Sequence, residues 1–172
     1  MNQNKSIRLY TITAMFTALI FLVTAYLLHI PTPATGGYIH LGDSFLYLAA
    51  SLLPAPFAVA AGGIGEALSD LLTGGAVYAI PTIAIKCAMV LCFTSAGKKI
   101  VIKRNIAAAV FAGLICIAGY YFTEVILYRS LISPLVNIPA NLIQAGSSAA
   151  IYLMIGNAFD RLNIRSRLIS AN

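Results

Sequence analysis

Apolar segments of roughly 17–25 residues recur along this chain, separated by short polar or proline-containing breaks, and a helix of that length crosses about 30 Å of hydrocarbon. Charged residues make up only 9% of the 172 residues, against about 25% in soluble domains. The pattern predicts an all-α integral membrane protein with one transmembrane domain over residues 1–172. Its six predicted helices cover approximately residues 8–28, 41–56, 57–74, 79–97, 106–128 and 137–159.

Basic residues concentrate at the end of the predicted helices that holds both termini, and the opposite loops carry only Arg129. Because cytoplasmic loops are enriched in Lys and Arg, both termini are predicted to be cytoplasmic. The same distribution accounts for the net charge of +6, so no nucleic-acid partner is expected. The basic residues at the terminal end are Lys5, Arg8, Lys98, Lys99, Lys103, Arg104, Arg161, Arg165 and Arg167.

Sequence signatures of catalysis and cofactor binding are missing. No HExxH helix, GxSxG elbow or phosphate-binding loop occurs, so neither a catalytic residue nor ATP binding by this chain is expected. Cys87, Cys92 and Cys116 fall within predicted spans without CxxC spacing, and no metal, cofactor or disulfide is predicted. The first apolar run is too long for a signal peptide and is interpreted as a retained helix.

Five strongly ionisable side chains lie in the halves of their predicted helices that face away from the cytoplasm. A charge in hydrocarbon costs at least a few kcal/mol, so such residues usually line a cavity or a pathway. Their one-sided grouping predicts a pocket open to the outside. These residues are Asp43, Glu66, Asp70, Lys86 and Glu124.

Helical rise brings Lys86 and Glu66 to a common depth, with Asp70 one turn above Glu66 on the same face. The sequence therefore predicts that Lys86 pairs with Glu66 or Asp70, either to hold two helices together or to contact a ligand. Asp43 follows Gly42 at the head of the second helix and is either a pocket residue or a helix cap.

Further pocket candidates lie at the same end. His40 is either a loop residue or a ligand contact. Tyr38, Tyr47 and Tyr78 are predicted to be interfacial aromatics. For Tyr38 and Tyr78 the alternative is that they cover the ring of a ligand. Asn141 and Gln144 share one face of the sixth helix. They are expected in the pocket, because amides that face lipid would lack hydrogen-bond partners.

Ala14 and Ala18 on the first helix form a small-xxx-small strip, which serves either a partner helix or internal packing.

Several runs together resemble the S components of energy-coupling factor (ECF) vitamin transporters, in the branch with riboflavin-, hydroxymethylpyrimidine- and pyridoxine-type members. The resemblance covers essentially the full chain, its six-helix count and its cytoplasmic termini. The runs are Gly37–Ser44, Gly62–Leu72, Tyr78–Pro81 and Ile85-Lys86.

The resemblance implies a subunit of the bacterial cell membrane that captures a vitamin near the outer surface. It also implies docking, through Ala14 and Ala18, on a transmembrane T component driven by two ATP-binding cassette subunits. The pocket acids favour a small heterocycle with hydrogen-bond donors, hydroxymethylpyrimidine- or pyridoxine-like first and riboflavin next. Two other functions stay open: a membrane enzyme that uses His40 with Asp43 or Glu66, and an independent proton-coupled carrier.

Overall fold

The computed structural model describes residues 3–27, 29–32 and 37–169, without the side chains of 4–5, 31–32, 37–38 and 169. Within these residues the chain is a bundle of seven helices with one small β-ribbon. The helices are α1 (Gln3–Ala25), α2 (Gly42–Leu52), α3 (Ala55–Leu72), α4 (Ala79–Leu91), α5 (Lys103–Tyr128), α6 (Ile138–Arg161) and the short α7 (Ile164–Ile169). One-turn 3-10 segments, Ala76–Tyr78 and Ser133–Asn137, lead into α4 and α6.

Each predicted span corresponds to one helix, but two helices are shorter than predicted. The second ends at Leu52 before Pro54, and its 11 residues reach about 16 Å at the helical rise, half a bilayer core. The fourth ends at Leu91, whereas the apolar run suggested a helix to residue 97. The Asn105 side chain holds the following segment in a non-helical path by bonding Thr94 N–H, Thr94 O and Ile100 O, each at 3.0 Å.

Three helical segments are long and apolar enough to cross a membrane by length and composition: Ser6–Ala25, Lys103–Tyr128 and Ser133–Arg161. Many large apolar side chains also face outward, while the charged side chains Asp43, Glu66, Asp70, Lys86 and Glu124 are buried. Ile80 is 81% exposed, whereas Lys86 is fully buried. Apolar side chains on the outside, with the charged groups of the spans buried, suit a lipid surrounding.

The loop between α1 and α2, predicted without regular structure, contains a two-stranded antiparallel ribbon. β1 (Ile30–Thr32) pairs with β2 (Gly37–Ile39), and Ile30 lies opposite Ile39. The ribbon leads directly into His40 and the start of α2, and so carries one side of the cavity described below.

Glycines on α3 allow α1 and α4 to approach it closely. A Cβ at Gly65 would lie 2.9 Å from Thr17 O and 3.0 Å from a methyl carbon of Ile20, both on α1. A Cβ at Gly63, on the face toward α4, would meet Cys87 Sγ at 3.6 Å, an ordinary contact.

We expect Gly65→Ala to lower the free energy of unfolding by about 1–3 kcal/mol, because the new methyl group would collide with the α1 backbone. Gly63→Ala is the matched control and should change stability little. Denaturant titration in detergent, followed by circular dichroism, compares the two. Equal stability of both variants would contradict the tight α1–α3 contact.

Candidate substrate site

A cavity opens at the end of the bundle opposite the basic residues. About 490 Å³ of space free of protein atoms lies between its walls, with the open solvent at its mouth included. Its lining is Ile39, His40, Asp70, Tyr78, Tyr120, Glu124, Asn137, Ala140, Asn141 and Gln144.

Helical spacing on α5 and around the start of α6 explains how polar side chains reach the cavity. Tyr120 and Glu124 are four residues apart on α5, one turn from each other on the same face. Asn137, Asn141 and Gln144 follow at intervals of four and three residues and form one stripe. Two facing stripes therefore supply five of the polar groups.

Below the cavity lies a buried ion pair that differs from the predicted one. Lys86 Nζ donates to Asp43 Oδ1 at 2.5 Å, and both side chains are essentially inaccessible. The predicted pairing of Lys86 with Glu66 or Asp70 is wrong, because equal depth does not specify which helix the side chain faces. The helix-cap interpretation of Asp43 is also wrong: Leu41 is the cap residue of α2, without a side-chain cap bond.

Gln144 connects this ion pair to the cavity. Its Nε2 donates to Asp43 Oδ2 at 2.9 Å, and its Oε1 accepts the His40 backbone N–H at 3.1 Å. Both ends of the amide are engaged, so Gln144 is held in one orientation. It fixes α6 to the start of α2 as well as lining the cavity.

His40 is a buried residue of the cavity wall, 4% exposed. Burial, together with the nearby charge of Lys86, lowers the pKa of His40 to about 3, so the imidazole is neutral. Its Nδ1 accepts the Gly42 N–H at 3.2 Å, and its Nε2 lies 3.3 Å from Gln144 Nε2. Nε2 faces Glu66 Oε2 at 3.8 Å.

The five predicted ionisable residues separate into two levels. Asp70 and Glu124 line the cavity, whereas Asp43, Glu66 and Lys86 are buried outside its lining. Glu66 Oε1 is buried without a hydrogen-bond partner among the described residues.

Within the described side chains, His40, Asp43 and Glu66 form the one set of possible metal ligands, with ligand atoms within 4.8 Å of one another. Lys86 already occupies Asp43 Oδ1 and Gln144 Nε2 occupies Oδ2. The donor set therefore suits an internal polar network better than a cation.

The aromatic predictions have different outcomes. Tyr78 lines the cavity, and its hydroxyl lies 2.8 Å from the hydroxyl of Tyr128. Tyr47, interpreted as an interfacial aromatic, is instead fully buried and stacks on Phe93 with ring centroids 5.0 Å apart. The side chain of Tyr38 lies outside the described part of the chain, although its backbone belongs to β2.

Two polar lining residues escaped the sequence analysis. Tyr120 bonds the Thr82 hydroxyl at 3.1 Å, and its ring lies 5.6 Å from Lys86 Nζ. Asn137 Nδ2 donates to Glu124 Oε1 at 2.7 Å. The positions of Tyr120 one turn before Glu124, and of Asn137 one turn before Asn141, were the available signals.

Buried polar groups also lie at the end of the bundle opposite the cavity. Ser51 Oγ lies 2.9 Å from the Tyr152 hydroxyl, which donates to Ile100 O at 3.2 Å. Asp160 accepts the N–H groups of Ile100 and Val101 at 2.7 and 3.0 Å. These groups bind one another and fix the α4–α5 connection to α2 and α6.

The two alanines of α1 face outward. Ala14 and Ala18 are both exposed, and their neighbour Met15 is 66% exposed. The interpretation of this strip as internal packing is therefore wrong. The strip thus presents small side chains on the surface of α1 beside the larger exposed Met15 and Leu19.

The sequence that forms this apolar helical bundle and its polar cavity matches a known family. The family model for the ECF-type riboflavin transporter, S component, matches residues 4–161. The chain belongs to this family. The predicted family membership is thereby confirmed, and the chain is a transport subunit for vitamin uptake rather than an enzyme.

One relative of this S component is a Pyrococcus woesei protein described as an uncharacterized protein in gap 3'region. The two are 32% identical over 108 residues, which is 62% of this chain and 72% of the relative.

Proposed function

We propose that this S component captures a small water-soluble vitamin or vitamin precursor in the cavity between α3, α5 and α6. Hydroxymethylpyrimidine- and pyridoxine-like compounds are the first choice and riboflavin the next. The observation that carries the proposal is the lining: two carboxylates, two amides besides Gln144, and two tyrosines surround one open cavity. Carboxylate and amide oxygens bind the amino and hydroxyl groups of such heterocycles.

The proposal places the cavity on the outer face of the membrane. All six helices from α1 to α6 then cross or enter the bilayer, with both termini in the cytoplasm. The basic residues at the opposite end support this orientation by the positive-inside rule.

Energy for transport comes, in this proposal, from a T component and two ATP-binding cassette subunits. S components of this family pair with such modules, and the exposed Ala14/Ala18 strip is the proposed docking surface. A strip of small residues lets a partner helix approach closely within the membrane. The cell membrane of a bacterium is the proposed location.

Two measurements identify the ligand. Mass spectrometry of small molecules that co-purify with the protein comes first. Calorimetry against a panel of vitamins then tests the chemistry: we expect binding of a pyrimidine or pyridine alcohol, and at least about 100-fold weaker binding of the anionic pantothenate. The weaker binding follows because desolvated like charges cost several kcal/mol. Tight binding of pantothenate with none for pyrimidine or pyridine compounds would refute the choice.

A further inference from the structure

The strongly ionisable side chains that line the cavity in the described residues are all acidic. Asp70 and Glu124 line it, and no Lys or Arg does so among the described residues. Residues 33–36 of the adjoining loop, which the structure does not describe, are Pro, Ala, Thr and Gly by sequence and add no charge. Arg129, the one basic residue of the loops at this end, is exposed and outside the lining.

The buried groups next to the cavity cannot supply the missing positive charge. Lys86 is bound to Asp43 at 2.5 Å, and Glu66 adds a further carboxyl group close to His40. His40, which is neutral, contributes none. No described side chain supplies a positive charge to this cavity, so a positive charge there would come from a ligand.

Glu124 is the residue that would accept a hydrogen bond from a positively charged ligand group. The residue is 4% exposed, and its Oε1 already accepts a hydrogen bond from Asn137. Its Oε2 is buried and has no hydrogen-bond partner among the described residues. A buried carboxylate oxygen without a donor is costly, and an N–H group of a ligand would remove that cost.

Tyrosine rings complete the environment of a positive charge. Tyr78 and Tyr120 both line the cavity, and aromatic faces attract cations. The Tyr120 ring lies 5.6 Å from Lys86 Nζ, and the Tyr78 ring lies beside it with centroids 6.4 Å apart.

We infer that the substrate is a cation: a small nitrogen heterocycle with a protonated primary amine, whose ammonium group donates to Glu124 Oε2. This inference rests on the proposed function and narrows its substrate class. Neutral alcohols of the same ring systems fit the cavity but leave Glu124 Oε2 without a charged donor.

Matched ligand pairs test the inference. The probes are hydroxymethylpyrimidine against its aminomethyl analogue, and pyridoxine against pyridoxamine, with riboflavin as a larger neutral compound. Each pair exchanges a neutral group for an ammonium group at neutral pH. Calorimetry uses the purified full chain in lipid nanodiscs. We expect the amine to bind about 10–100-fold more tightly within one pair, the range for a hydrogen bond to a charged group.

Variants test whether Glu124 accepts the hydrogen bond from the ammonium group of the ligand. Glu124→Gln should remove the preference for the amine, so that the two members of a pair bind equally. Arg129→Gln also changes the net charge by one unit, in the opposite direction and outside the lining, and should keep the preference.

The outcomes separate the inference from the proposed function. Equal binding within both pairs, a preference for the alcohols, or binding of riboflavin alone would overturn the cationic substrate and leave a vitamin-binding subunit. An amine preference that survives Glu124→Gln would overturn the role of Glu124. Binding of none of the five compounds would overturn the inference and the proposed ligand class together.

Discussion

Replacing Lys86 with Met should lower the free energy of unfolding by about 3–5 kcal/mol, because the substitution leaves the Asp43 carboxylate buried without its cation. Asp43 Oδ1 is bound to Lys86 Nζ at 2.5 Å, and both side chains are inaccessible. Met has a similar volume and keeps the packing, so the loss would reflect the charge. Denaturant titration in detergent, followed by circular dichroism, measures it.

Two further variants test whether the loss of stability comes from the buried charge. Asn at position 43 still accepts from Gln144 but carries no charge, so the double variant Asp43→Asn with Lys86→Met should recover much of the stability. Lys99→Met removes an exposed charge and should change stability by about 0.5 kcal/mol or less. A Lys86→Met variant as stable as Lys99→Met would contradict a buried ion pair.

The end of the bundle at which the polar groups gather could be predicted from the sequence. The cost of charge in lipid, combined with basic loops, predicted one end for Asp70, Glu124, Asn141 and Gln144. All four line one cavity at that end. Their roles in ligand binding stay predictions.

The partner of Lys86 could not be predicted in the same way. Residue counting gives depth along a helix but not the direction in which a side chain points. Glu66 shares the depth of Lys86, yet the partner is Asp43 on the short helix α2. Nothing in the apolar run from Phe45 to Leu53 showed that this helix is enclosed by its neighbours.

The surroundings of Tyr47 could not be predicted for the same reason. A tyrosine near the end of a predicted span is typical of the membrane interface. Burial of α2 on nearly all sides places the ring among Phe93 and Tyr152 instead. Which helix lies at the centre of the bundle depends on contacts between helices, which a linear hydropathy pattern does not contain.

Enlarging the small residues of α1 should abolish uptake without weakening ligand binding. Ala14 and Ala18 are exposed, whereas the cavity is formed by the ribbon, α3, α5, α6 and the turns before α4 and α6. Leu at either position would hold a partner helix away from α1. Overpacking of a tight contact costs about 1–3 kcal/mol, which corresponds to about 10–100-fold weaker association.

Three assays on one set of variants test this expectation. Calorimetry on isolated Ala14→Leu and Ala18→Leu should give the dissociation constant of the unmodified protein. Co-purification with a T component and its two ATPases should fall, and cellular uptake of labelled hydroxymethylpyrimidine or pyridoxine should fall by at least about tenfold. Ala118→Leu, the same change at an exposed position of α5, is the control.

Each alternative outcome has a distinct meaning. Loss of ligand binding in the isolated Ala14→Leu protein would show that the substitution disturbs the bundle itself. Full uptake by both variants would place the docking surface elsewhere, and an equal loss in Ala118→Leu would indicate a general effect of bulk at the lipid surface. Only a loss confined to α1, with ligand binding intact, assigns the strip to a partner, because a flat face of small side chains contributes to transport only where another helix covers it.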